Sequence, residues 1–358
     1  MDLLSLVERL GEQPLLASGG AVVGLLFGFF AQRSGFCLRT AVIEFARGEP
    51  GERLAVWLLA FSAAVVSVQA LLLAGLVDLS GTRQLAARGS LSGAIVGGLL
   101  FGTGMILARG CASRLLVLSA TGNLRALLSG LIFAVTAQAA LGGALAPVRE
   151  TISSWWTVDG GSARDLLVVA HAGRPAGLAF GLLWLVAALW YALRSGRERW
   201  KWIGGLGAGL AVALAWVFTA TVAASSFQVL PVQGITFSGP SAEWLMRVVS
   251  APAPAAGFDF GLLPGVFAGA FLGAALGRKI RLEGFKDGYS MRRYIAGAIA
   301  MGFGAMLAGG CAVGAGVSGG AIFSLTAWVA LASMWVGAAA TDRLLDREPR
   351  IAAHRHGP

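Results

Sequence analysis

About nine windows of this 358-residue chain are long and apolar enough to span the hydrocarbon core of a bilayer. No other feature narrows the fold as far. There is no water at that depth, so each window of this length must satisfy its own backbone by folding as a helix. The windows run roughly over 18–33, 53–77, 89–108, 124–146, 176–193, 202–224, 261–277, 291–308 and 320–340. Charged residues make up 13% of the chain, about half the share in a soluble domain. The 52 glycines suit helices whose backbones approach closely. These features exclude a soluble globular enzyme and a disordered chain. They predict an all-α polytopic membrane protein of about nine transmembrane helices.

Between the windows lie apolar stretches too short to cross: 35–47, 110–121, 241–250 and 310–319. Such stretches read as re-entrant short helices, held where protein covers them or where they line a cavity. Self-comparison then shows an internal repeat. With a shift of 200 positions, LFGTGMILARGCA from Leu100 matches AMGFGAMLAGGCA from Ala300, pairing Cys111 with Cys311. The same shift carries Cys37, in RSGFCLRTAVIEF, to Phe237, in QGITFSGPSAEW. Each half has four spans and two breaks, and a fifth span lies between the halves. One intervening span inverts the second half, so two repeats of inverted topology are expected, with a site near the midplane where helices break. The expected organisation is an external N-terminal segment (1–17), a first repeat (18–146), a linker plus central helix (147–200), a second repeat (201–340) and a cytoplasmic tail (341–358).

The net charge of +10 is not a nucleic-acid signature, because no basic block is interleaved with aromatics. Lys and Arg instead crowd the loops on one side of the spans, about three to one. The positive-inside bias therefore puts the C-terminus in the cytoplasm and the N-terminus outside. The opening MDLLSLVERLGEQPLL has no basic n-region and does not read as a cleaved signal peptide. In the linker, Trp155 and Trp156 suit the membrane interface, and His171 reads as a loop histidine.

The chemistry centres on three cysteines, Cys37, Cys111 and Cys311, all at the breaks. An odd, small number is no disulfide framework, and none has metal-ligand spacing. No P-loop or other cofactor motif appears. Gly35, Gly110 and Gly310 stand just before the cysteines and let the chain turn. A short helix that then begins offers unsatisfied N–H groups and a partial positive charge, which suit an anion. Arg39, Arg109 and Arg114 lie in the same segments and are functional candidates at membrane depth. Thr236 and Ser238 occupy the fourth break. A thiol is a soft, weak donor, suited to a ligand that itself presents sulfur. Two other readings stay open on the residues alone. One is a thiol carrier passing a persulfide, which needs a reactive thiolate. The other is a soft-metal transporter, which the neighbouring arginines disfavour.

The segments GFCLRTA at 35–41, GTGMILARGCASR at 102–114, ITFSGP at 235–240 and GFGAMLAGGCAVGAGVSGG at 302–320 resemble the YeeE/YedE family of bacterial inner-membrane proteins. The resemblance covers about residues 18–340. It implies an hourglass-shaped bundle of nine spans with re-entrant helices, and uptake of thiosulfate or a related sulfur compound without enzymatic turnover. It also implies that cysteines at these motifs relay the ion by S–H···S contacts. By motif, Cys311 would be the outer, Cys111 the middle and Cys37 the cytoplasmic member. A TusA-like sulfurtransferase on the cytoplasmic side is a further implied partner. Some relatives are associated with selenium metabolism, which keeps a selenium compound open as substrate.

Overall fold

The computed structural model describes residues 11–49, 51–194, 199–226, 228–249, 257–285 and 288–345. The tail expected beyond Leu345 and most of the N-terminal segment lie outside the described residues. The first half begins with α1 (Glu12–Ser34), closed by Gly35 in the left-handed region at φ 68°. A short α2 (Leu38–Ala46) follows, then α3 (Glu52–Leu73), a one-turn α4 (Arg83–Ala86), α5 (Leu91–Leu107), a short α6 (Ala112–Ala120) and α7 (Leu124–Gly142). The linker folds as α8 (Ala146–Ser154), a 3-10 turn (Gly161–Arg164) and α9 (Leu166–Val169). Its strand β2 (Thr157–Val158) pairs antiparallel with β1 (Gly89–Ser90). After α10 (Arg174–Arg194) the second half holds α11 (Arg199–Ala224), a short α12 (Ser238–Val249), α13 (Phe258–Leu276) and α14 (Gly288–Leu307). A π-helical segment, Ala312–Gly319, and α15 (Leu325–Leu345) complete it.

Among the described residues, eight helical stretches are long and apolar enough to cross a membrane. They cover the first eight windows read from the sequence. The ninth window corresponds to α15, whose apolar character is diluted by Thr326, Ser333, Thr341, Asp342 and Arg343. Its 21 residues still measure about 31 Å at 1.5 Å per residue. The four stretches too short to span are α2, α6, α12 and the π segment; α12 starts at Ser238, a little earlier than the sequence pattern placed it.

The long helices pack in matched sets. Helix α1 lies along α13, and α11 lies along α3; α5 packs on α15, and α14 on α7. Helices α5 and α14 also pack on each other, with reciprocal glycine contacts. A Cβ on Gly97 would sit 2.6 Å from the Gly304 oxygen, and one on Gly304 would sit 2.7 Å from the Gly97 oxygen. Gly104 and Gly297 face each other in the same way, at 2.5 and 2.7 Å. Only glycine permits backbones this close, which is how helices associate where burial of apolar surface from water cannot drive them together. Along α1 and α13, a Cβ on Gly24 or Gly265 would likewise strike the opposing backbone.

The interior is apolar and aromatic. Trp57, Phe61, Trp328, Phe323 and Phe180 form a continuous chain of ring contacts. Polar ties cross the halves at both ends of the bundle. Asp342, wholly buried at the end of α15, accepts two bonds from Arg47 at the end of α2, at 2.7 and 2.8 Å. Arg164 in the linker donates to the Arg83 and Ala87 carbonyls at 3.2 and 2.7 Å, and to Thr326 at 2.5 Å. Burial of its guanidinium, with Arg83 nearby, lowers its pKa to about 10. The linker is thereby fastened to the end of α4 and to the first turn of α15.

Candidate functional site

Each cysteine stands at the start of a short helix. Cys37 precedes α2, Cys111 precedes α6 and Cys311 precedes the π segment, all with extended backbone. All three are free thiols, and none is more than 4% exposed. The preceding span must first be stopped and the chain turned. A left-handed residue does this each time: Gly35 at φ 68°, Arg109 at 55° and Gly309 at 78°. The sequence reading gave the turn before Cys111 and Cys311 to Gly110 and Gly310; the structure gives it to the residue before each. Gly110 and Gly310 serve a different need. A Cβ there would press on Leu115 at 3.3 Å or on the Ala315 nitrogen at 2.7 Å, so they let the new helix fold back tightly.

Cys37 and Cys111 come together. Their thiols are near enough to act on each other, and Ser113 Oγ is 3.4 Å from Cys111 Sγ. Arg114, in the first turn of α6, acts electrostatically on both thiols. Its Nη1 is buried and has no hydrogen-bond partner among the described residues. A buried, unpartnered guanidinium nitrogen can donate to an anion. Arg39 also acts on Cys37, less strongly than Arg114. Arg109 does not join them: it is exposed and neighbours Arg125. Arg125 itself bonds the Ala108 carbonyl at 2.9 Å and lies over the Tyr294 ring.

Cys311 sits in the other half of the bundle, on a segment that touches α6. Its Sγ accepts from the Gly314 N–H at 3.5 Å. Gly314 packs directly under Thr236, whose Oγ1 lies 3.3 Å from Ser238 Oγ. Ser318 ties this loop down through the Ile235 carbonyl at 2.7 Å. At the fourth break the residue before the short helix is Phe237, buried against Phe27 with ring centroids 5.4 Å apart. A ring stands there in place of a fourth thiol.

Sequence reasoning missed three contributors. Arg53 donates from Nη1 to the Ser34 and Gly35 carbonyls at 3.3 and 3.2 Å, securing the turn into Cys37. Ser113 carried only the adjacency signal of ASR after Cys111. Gln84 bonds the Gly314 carbonyl at 3.3 Å across 230 positions, a link without any sequence signature. No cluster of His, Cys, Asp or Glu able to hold a metal occurs among the described residues.

Comparison with known proteins gives a family for the chain. Residues 33–340 match the family model described as Sulphur transport. The thiosulfate transporter TsuA of Escherichia coli (strain K12) is 25% identical over 335 residues, covering 89% of this chain and 91% of that protein. A protein of the same name from Spirochaeta thermophila is 26% identical over 339 residues, covering 87% and 93%. The apolar helical stretches and these relatives make the chain a multi-pass membrane protein. It belongs to the sulphur-transport family, whose members are transporters of sulfur compounds rather than enzymes.

Proposed function

We propose that this protein imports thiosulfate across the bacterial inner membrane along a path lined by Cys311, Cys111 and Cys37. The observation that carries the reading is the buried pair of thiols with Arg114 acting on both and its Nη1 buried without a partner among the described residues. Short helices start at each cysteine, so unsatisfied N–H groups and the positive end of the helix dipole face the passing anion. The thiols meet its terminal sulfur by weak S–H···S contacts, a match that sulfate does not offer. Arg114 supplies the charge in the middle of the path, with Arg39 behind it. Thr236 and Ser238 give polar lining beside Cys311, and Gly35, Gly110 and Gly310 shape the turns.

The matched helix packings and the reciprocal Gly97/Gly304 and Gly104/Gly297 contacts support two repeats of inverted topology, 18–146 and 201–340, with α10 between them and α15 as the ninth span. In this arrangement Cys311 is reached from outside and the Cys37–Cys111 pair from the cytoplasm. The loop charges support a cytoplasmic C-terminus. Import is downhill, sustained by a cytoplasmic enzyme that consumes thiosulfate; a TusA-like sulfurtransferase fits that place.

The test is uptake of labelled thiosulfate into cells lacking other importers, with sulfate as control. Wild type should take up thiosulfate and not sulfate. Cys111→Ala, at equal membrane level, should take up neither. Normal uptake by that variant would refute the cysteine path.

A further inference from the structure

Two thiols held side by side in the path of a sulfur oxyanion are also a reducing site. This inference rests on the thiosulfate reading for how a reagent reaches them, and on the observed pair for its chemistry. Cys37 and Cys111 are free, buried at 4% and 1% exposure, and within reach of each other. Cys311 lies on a separate segment, with the Gly314 N–H bonded to its sulfur. Each stands at the N-cap of a short helix.

We propose that the Cys37–Cys111 pair is a thiol–disulfide site for S–S-bonded sulfur oxyanions such as tetrathionate, and that its oxidation closes the path. One thiolate attacks a central sulfur of tetrathionate. The central S–S bond breaks, one thiosulfate leaves, and the cysteine carries an –S–SO3 group. The second thiolate attacks the first cysteine's sulfur and expels that group as another thiosulfate. The two cysteines lose two electrons and two protons and are joined by one S–S bond; tetrathionate gains the two electrons and becomes two thiosulfate ions. Arg114, buried close enough to both thiols to act on them electrostatically and with its Nη1 unpartnered among the described residues, holds the anionic end of the reagent and supports the attacking thiolate, which is the reactive form in exchange. A disulfide then removes both S–H donors and narrows the passage. Reduction by a dithiol reopens it.

The test uses the full-length protein in detergent and in liposomes. After tetrathionate treatment, non-reducing peptide mapping should find Cys37 joined to Cys111, with two thiosulfate released per protein. Reconstituted protein should lose thiosulfate uptake and regain it with dithiothreitol. Cys37→Ser and Cys111→Ser should release only one thiosulfate and keep an –S–SO3 adduct on the remaining cysteine of the pair. Cys311→Ser should still form the disulfide. Separate adducts without a disulfide, a bridge to Cys311, or a Cys37–Cys111 disulfide that leaves uptake unchanged would each overturn the proposal. Untreated protein that takes up no thiosulfate would refute the transport reading and the closure with it, while the peptide map still decides the pair.

Discussion

Arg47→Met should destabilise the protein more than Asp342→Asn, although each removes half of one ion pair. The carboxylate of Asp342 is 1% exposed and accepts from Arg47 at two oxygens, 2.7 and 2.8 Å away. The Arg47 side chain is 27% exposed. Removing the arginine strands a buried charge, a change that costs about 3–5 kcal/mol. Removing the charge on Asp342 leaves a guanidinium that can turn to water, and the loss is that of charge-assisted hydrogen bonds, about 1.5–3 kcal/mol. The double variant Arg47→Met/Asp342→Leu replaces the pair by apolar packing and should recover most of the loss, because desolvating two charges offsets much of their attraction. The assay is unfolding of the purified protein in detergent, followed by tryptophan fluorescence. If Asp342→Asn proved the more damaging, or if the double variant were as unstable as Arg47→Met, the burial argument would be wrong.

Three further outcomes are expected. Arg114→Ala should lose uptake while Arg109→Ala keeps it, since Arg114 acts on both thiols and Arg109 on neither; kinetics on both at matched expression decide it. Gly104→Ala should lower stability by about 1–3 kcal/mol, because a Cβ there lies 2.5 Å from the Gly297 oxygen and α5 must move off α14; a thermal melt reads it. Arg164→Ala should cost about 1–3 kcal/mol by removing the donor to the Ala87 carbonyl and to Thr326, and limited proteolysis should then cut the linker faster.

Much of this molecule was legible in its residues, for reasons that differ from element to element. Eight spanning stretches follow from hydropathy because a bilayer-spanning segment has to be apolar along its own length. The short helices at 38–46, 112–120 and 312–319 follow from the glycine-containing turns and the cysteines, since a break is also a local event. Errors arose where one local signal served two geometries. Gly110 and Gly310 looked like the turning residues, yet Arg109 and Gly309 carry the left-handed backbone. The residue that turns is fixed by where the next helix must pack.

By itself, then, the sequence determined that the chain is a bundle of membrane helices, where those helices break, and that thiols stand at three of the breaks. Only the tertiary structure decided which thiols meet. It paired Cys37 with Cys111, left Cys311 apart, chose Arg114 over Arg109 as their cationic neighbour and filled the fourth place with Phe237. It also joined Arg47 to Asp342 across 295 positions. The physical reason is range. Hydropathy and backbone propensity are set by a residue and its near neighbours, whereas the meeting of two side chains depends on how whole helices cross.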